Sequence, residues 1–401
     1  MSKTVNWKKN LFICFFGAFS TVFAMTIMLP FLPLYIELLG VKGHSEIIQF
    51  SGIAYSCVFI SAGLIAPFWG KLGDKYGRKA MLIRASLGMA LMTMLLGFVN
   101  NIEQLLFCLL IMGLAGGYSS GATILVAAQT PKEHSGWALA TIASGGMADN
   151  VLGPLVGGYL PSILGIRETF WFASVLILIT FLLTTFYLKE EKKENINTNK
   201  KISFKNIPNK KIVACMLFTG FLFMFSNYSI EPILPLYIKE IILDNGRITQ
   251  MSGIVLSATA LGSICSAVTI GKFADQIGHQ KVIIISLFLA SICLLPQAFV
   301  TEIWQLILLR FLMGLSLGGL LPCITSTIRH KLSSNTIGTV IGFSISAQFL
   351  GQFFGPLSGG YIGSYIGSYI GFSYVFIITS CLLIIGALAN WIILKNSNSN
   401  I

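Results

Sequence analysis

Gly70-Lys-Leu-Gly73-Asp74-Lys-Tyr-Gly77-Arg78-Lys79 and, 201 residues further on, Gly271-Lys-Phe-Ala-Asp275-Gln-Ile-Gly278-His279-Gln280 are two versions of one phrase. Each reads as a polar loop between two apolar runs of helix length, at the same point in its half of the chain. The repeat continues outward from this loop. Leu32-Pro33-Leu34-Tyr35-Ile36 returns as Leu234-Pro235-Leu236-Tyr237-Ile238, and Ser51-Gly52-Ile53 as Ser252-Gly253-Ile254. Met112-Gly113-Leu114 returns as Met313-Gly314-Leu315, and Gly153-Pro154-Leu155 as Gly355-Pro356-Leu357. An offset that holds at 201 or 202 residues across so many elements describes one chain made of two similar halves.

The composition says what surrounds those halves. Apolar residues make up 55 % of the 401, and charged residues only 10 %. Mean hydropathy is +0.80. So few charges cannot clothe a water-soluble protein of this length, so the expected solvent is lipid. The net charge of +12 does not point to nucleic acid, because the basic residues fall in short loops between apolar segments. The eight cysteines stand in apolar segments without CxxC spacing, and the four histidines fall in loops. Neither set suggests a metal or a cofactor.

Twelve segments have the length and apolarity of membrane-spanning helices: 11–36, 50–69, 80–99, 103–127, 136–160, 169–188, 212–238, 250–270, 281–300, 303–328, 338–362 and 371–394. The first follows Lys8-Lys9 and is too long for a signal-peptide core, so it is expected to be retained. With the N-terminus placed in the cytoplasm, inner loops hold 22 of the 27 Lys and Arg residues and outer loops hold four. That bias predicts both termini inside. The polar stretch 189–211, with eight lysines, reads as a solvated linker between an N-terminal half (1–188) and a C-terminal half (212–401). The expected fold is therefore all-α, with twelve transmembrane helices in two pseudo-symmetric six-helix halves.

Within the phrase at 70–79, Gly73 and Gly77 suit a tight turn. Asp74 suits a helix N-terminus and Arg78 a carboxylate partner. The fifth segment carries Gly145, Gly153, Pro154, Gly157 and Gly158. Its small residues one turn apart allow close helix approach, and its proline removes a backbone donor. The first pattern resembles the G-x-L-a-D-r-x-G-r-k signature of the major facilitator superfamily. The second resembles the g-x-x-x-G-P-x-x-G-G antiporter motif of drug:proton exporters. Together with Met28-Leu-Pro30-Phe-Leu-Pro33 and Ser135-Gly-Trp137-Ala-Leu139, they make the whole chain similar to the twelve-helix drug:proton antiporter family, fluoroquinolone-type bacterial multidrug exporters included. The resemblance implies that Gly70, Gly73, Asp74, Gly77 and Arg78 latch the inner ends of the halves during transport. It also implies a bacterial cytoplasmic membrane location.

One departure stands out. The family's R-x-x-x-G pattern in the fourth helix is here Leu109-Leu-Ile-Met-Gly113, while the second half keeps Arg310-Phe-Leu-Met-Gly314. The family's coupling role for that arginine does not transfer to helix four. Three charges remain inside spans: Asp149, Glu231 and Arg310. Each costs about 2.5–3.5 kcal/mol at a helix centre, which makes it a functional candidate. These three are the expected proton-coupling residues. Arg310 could pair with either acid. The weaker expectation for a substrate cavity is Phe19, Phe23, Phe225, Asn227 and Tyr228, on the first and seventh segments, because those helices commonly line the cavity in this fold.

The expected activity is proton-coupled export of small amphipathic or cationic compounds by a functional monomer. The alternative is a dedicated transporter of one metabolite, such as a siderophore or sugar derivative. A membrane enzyme would need a nucleophile–base pairing or a soluble domain, and the sequence offers neither.

Overall fold

The computed structural model describes residues 6–190, 210–242, 245–332, 334–365 and 369–398. Most of the linker, 191–209, lies outside them. The first half runs through α1 (Trp7–Thr26), α2 (Leu32–Leu38), α3 (His44–Tyr76), α4 (Arg78–Leu96), α5 (Ile102–Ala115), α6 (Tyr118–Gln129), α7 (Ser135–Ile163) and α8 (Ile166–Tyr187). The second repeats that order as α9 (Lys210–Tyr228), α10 (Leu234–Ile241), α11 (Ile248–Ile277), α12 (His279–Leu294), α13 (Ile303–Leu317), α14 (Leu320–Lys331), α15 (Ser334–Tyr365) and α16 (Tyr369–Asn398). The fold is all-α and multi-pass. Eleven helical stretches among the described residues are long and apolar enough to cross a membrane. The remaining segment, α7, has the length at 29 residues, but glycines, serines, Asp149 and Asn150 dilute its hydropathy.

Two expectations about local structure need correction. The phrase at 70–79 is not a loop: α3 continues unbroken through Tyr76, and α4 starts at Arg78. Nothing before Gly77 breaks the helix. Gly73 is therefore a helical residue, and the turn is made by Gly77 alone, at φ +95°. Its counterpart Gly278, at φ +98°, separates α11 from α12 in the same way. A side chain would be strained at either position.

The first and seventh segments are not single helices either. The first breaks over 27–31 and the seventh over 229–233. Pro30 with Pro33, and Pro232 with Pro235, remove the donors a continuous helix needs. Each short helix after the break is then tied sideways. Tyr35 Oη donates to the Leu96 carbonyl at 2.6 Å, and Tyr237 Oη to the Gln297 carbonyl at 2.7 Å. The fourth and tenth segments break at Gly116-Gly117 and Gly318-Gly319.

By contact density the chain forms two units, Met1–Val41 with Cys57–Asn197, and Lys42–Ser56 with Thr198–Ile401. The start of α3 thus packs within the second unit. Ser45 Oγ donates to the Ser364 carbonyl at 2.5 Å, and Ser56 Oγ to the Phe353 carbonyl at 2.8 Å. Between them, a Cβ on Gly52 would collide with the Pro356 carbonyl oxygen. In the first unit, one core joins Cys14 and Ala18 of α1 to Leu82, Tyr118, Leu125 and Ile142. A second joins Phe23 and Ile27 to Met89, Ala173 and Ile177.

Candidate functional site

The glycine motif of α7 is a seat for α1. Gly145, Asp149, Gly153 and Gly157 recur every four residues, so they form one stripe. A Cβ on Gly145 would meet Phe15, one on Gly153 would meet Thr26, and one on Gly157 would lie 1.9 Å from the Ile27 carbonyl oxygen. Pro154 and Gly158 are buried in the same helix. The second unit repeats the seat: Gly351, Gly355 and Gly359 face the backbone of Phe221, Phe225 and Ser229. At a further glycine shared by the two halves, Gly113 abuts Val58 and Ser61, and Gly314 abuts Thr259.

Asp149 is the exception in this stripe of small residues. It is 0 % exposed, and neither carboxylate oxygen has a hydrogen-bond partner. Thr26 Oγ1 donates to its backbone carbonyl at 3.1 Å, which fixes the helix without serving the acid. An isolated, enclosed carboxylate is expensive for stability alone.

The second acidic site lies in the second unit. Arg310 is 2 % exposed, the largest side chain buried so completely. Its electrostatic partner is Glu231, which answers the question the sequence left open. Tyr55, 1 % exposed on the part of α3 that packs with this unit, shares the field of Glu231. Glu231 Oε2, Arg310 Nε and Arg310 Nη2 are sealed from solvent without hydrogen bonds. In the first unit, Leu109 stands in the register of Arg310 as a fully buried apolar residue.

At the junction of α3 and α4, Arg78 pairs with Asp74 one turn back. A Cβ added to Gly70 there would meet nothing within 4 Å. The N-terminus of α4 is capped by a different acid, Glu190. Its two oxygens accept from the backbone N–H groups of Arg78 and Lys79 at 2.7 and 2.8 Å. This corrects the expectation that Asp74 would serve the helix end. Glu190 also lies where a Cβ on Gly77 would go, 2.8 Å from Oε2. Lys189 holds the same segment in place: its carbonyl accepts from Asn10 Nδ2 at 2.6 Å and from Gln129 Nε2 at 3.2 Å. In the second unit His279 reaches Asp275 at 3.5 Å, the geometry of Arg78 with Asp74.

The aromatic candidates divide. Phe225 lines a cavity of about 710 Å³ with Phe221, Phe354, Tyr361, Gln49 and Ile53. Phe23 is 4 % exposed inside the second core of its unit, with Phe19 stacked on it at 5.4 Å. There it packs with Met89 and Ala173. Asn227 returns its amide to the Phe223 carbonyl at 3.1 Å, and Tyr228 is half-buried beside it. Sequence reasoning missed Glu190, Tyr55 and the pair Trp69–Arg84. In the sequence, Arg84 reads only as a basic residue of the inner side. In the structure its guanidinium lies 3.6 Å over the Trp69 ring and donates to the carbonyls of Leu114 and Gly116, at the break between α5 and α6.

The comparisons with known proteins agree with this architecture. The Major Facilitator Superfamily model matches residues 14–246 and 216–400. The multidrug resistance protein MdtG of Salmonella typhimurium is 37 % identical over 345 residues, covering 85 % of each chain. MdtG of Proteus mirabilis is 37 % identical over 344 residues, with 84 % and 85 % covered. Among solved structures, the nucleoside transporter NupG superposes with a TM-score of 0.74 at 16 % identity, over 97 % of this chain and 99 % of that one. The human organic anion transporter MFSD10 gives 0.70 at 19 % identity, over 96 % of this chain and 99 % of that one. At such identities the structures speak for the fold alone. The chain belongs to the Major Facilitator Superfamily, as a multi-pass membrane transporter related to the bacterial MdtG proteins.

Proposed function

We propose that this transporter is a proton-coupled exporter of small amphipathic or cationic compounds, working by alternating access in the bacterial inner membrane with both termini in the cytoplasm. The observation that carries the reading is a pair of acids within spans, Asp149 fully buried and Glu231 half-buried with its Oε2 sealed and unbonded, in a chain 37 % identical to a multidrug resistance protein. A carboxylate withdrawn from water with so few partners can take a proton and give it up. Glu231 has Arg310 as its counter-charge, so loading a proton on Glu231 releases the arginine, and unloading restores the pair. Asp149 sits in the seat of α1, where gain or loss of its charge changes how closely the two helices tolerate each other. The outward-facing state would load the proton, the inward-facing state would release it, and the compound would travel the other way.

The Asp74–Arg78 pair supports a latch at the inner ends. Asp74 is 70 % exposed, so the pair adds little to stability, on the order of 0–1 kcal/mol, and can change partners during the cycle. Glu190 keeps the end of α4 capped meanwhile.

The test uses inverted membrane vesicles energised with a proton gradient, reading ethidium or fluoroquinolone accumulation together with a proton-sensitive dye. Asp149→Asn and Glu231→Gln should each express normally and lose proton-driven accumulation. Normal rates in both variants under a gradient would remove the coupling assignment. Uptake of no dye or drug, with transport of a single metabolite, would replace the exporter by the dedicated transporter.

A further inference from the structure

α11, α12 and α13 enclose a groove of about 440 Å³ on the second unit. Its walls include Ile270 and Phe273 from α11, Ile285 and Leu289 from α12, and Leu312 and Leu315 from α13. Phe273, Ile285 and Leu289 are exposed. The internal repeat shows what is unusual about it. At the offset of 201, Ile270, Ile285 and Leu315 correspond to Trp69, Arg84 and Leu114. In the first unit that place is filled. The Trp69 indole N–H donates to the Leu114 carbonyl at 2.8 Å, and the Arg84 guanidinium covers the ring and reaches Leu114 and Gly116. The second unit has neither the indole nor the guanidinium, so the same space is open and mostly apolar.

Basic residues flank the groove walls along the chain. Lys272 stands between the wall residues Ile270 and Phe273, Lys281 immediately precedes Val282, and both are exposed. Arg329, exposed near the end of α14, lies on a helix packed against α12. Asp275, an exposed acid of that region, lies 3.5 Å from His279.

We propose that this groove is a phospholipid site. One acyl chain lies along Ile270, Ile285, Leu289 and Leu312, and an anionic headgroup rests on Lys272 and Lys281. The walls offer an alkyl chain continuous dispersion contact and no charge, which suits lipid and not a cationic drug. The lysines select a phosphate that carries net negative charge.

Photoactivatable phosphatidylglycerol, with the reactive group on its acyl chain, tests this on the purified full chain, with the phosphatidylcholine analogue as comparison. Labelling by phosphatidylglycerol should concentrate on peptides covering 282–293 and 312–316. Ile270→Trp combined with Ile285→Arg, which transfers the filling of the first unit into the second, should cut that labelling several-fold. Lys281→Gln should lower phosphatidylglycerol capture about five-fold and leave phosphatidylcholine unchanged, as one basic group near an anionic surface contributes. Should the double variant not fold, Leu289→Trp narrows the groove with a single change and carries the same expectation. Undiminished labelling in the narrowed variants, or equal capture of both lipids by the unmodified chain, overturns the assignment. So does displacement of the lipid probe by ethidium, which makes the groove a drug site instead.

Discussion

Gly157→Ala puts the seat between α7 and α1 to a direct test. The added methyl would start 1.9 Å from the Ile27 carbonyl oxygen. Carbon–oxygen contacts between helices sit at roughly 3.3–3.6 Å, so α7 must back away by roughly 1.4 Å or more. The obstacle is backbone, which cannot swing aside as a side chain can. Overpacking of this kind costs about 1–3 kcal/mol. The better helix propensity of alanine returns up to about 1 kcal/mol. The net expectation is a loss of about 1–2 kcal/mol, at the upper part of the overpacking range before that offset. Gly146→Ala is the internal control, because nothing lies within 4 Å of its added methyl. It gains the propensity and meets no obstacle. Melting of the detergent-purified variants, followed by fluorescence-detected gel filtration, should rank Gly146→Ala at or above the unmodified chain and Gly157→Ala below it. Drug export in vesicles should follow the same order, since Asp149 stands in the displaced interface. Equal melting of the two variants, or full export by Gly157→Ala, would refute the claim that this stripe is a backbone seat.

Three further outcomes are expected. Arg310→Gln alone strands Glu231 and should destabilise by about 3–5 kcal/mol, whereas Arg310→Gln with Glu231→Gln should recover most of the loss; a thermal-melt cycle over the four proteins reads the coupling, and additive effects would mean that the two charges do not interact. Glu190→Ala removes the cap of α4 and should lower stability by about 0.5–2 kcal/mol, with faster hydrogen exchange at the Arg78 and Lys79 amides as its local signature. Asp74→Asn should slow turnover without weakening ethidium binding, measured by fluorescence; unchanged turnover would remove the latch.

The fold was legible because lipid imposes a length on every helix and the repeat imposes a register. What escaped depends on contacts far apart in sequence. Nothing local marks Glu190 as a helix cap 112 residues from Arg78. It stands among the charges of a linker and looks like one more solvated group. The helical course of Gly70–Tyr76 escaped because a polar, glycine-bearing stretch between apolar runs has the composition of a loop, while helical geometry tolerates glycine until a positive φ is required. Prolines 30, 33, 232 and 235 were visible, but hydropathy averages across them, so the breaks in the first and seventh segments were not. The charged trio Asp149, Glu231 and Arg310 was found by cost alone, since a charge in an apolar run is conspicuous. The choice of Glu231 as the partner of Arg310 needed tertiary structure.

The breaks at 27–31 and 229–233 have a mechanical consequence. Each short helix after a break is bound through a tyrosine to the end of a neighbouring segment, Tyr35 to Leu96 and Tyr237 to Gln297. It therefore travels with that neighbour rather than with the long helix it continues. A tilt of α1 or α9 is absorbed at the break, as at an elbow, and does not propagate to the far tip. The phenolic hydroxyl is one tie at each elbow, and a phenylalanine at either tyrosine would remove that tie while leaving the apolar packing in place.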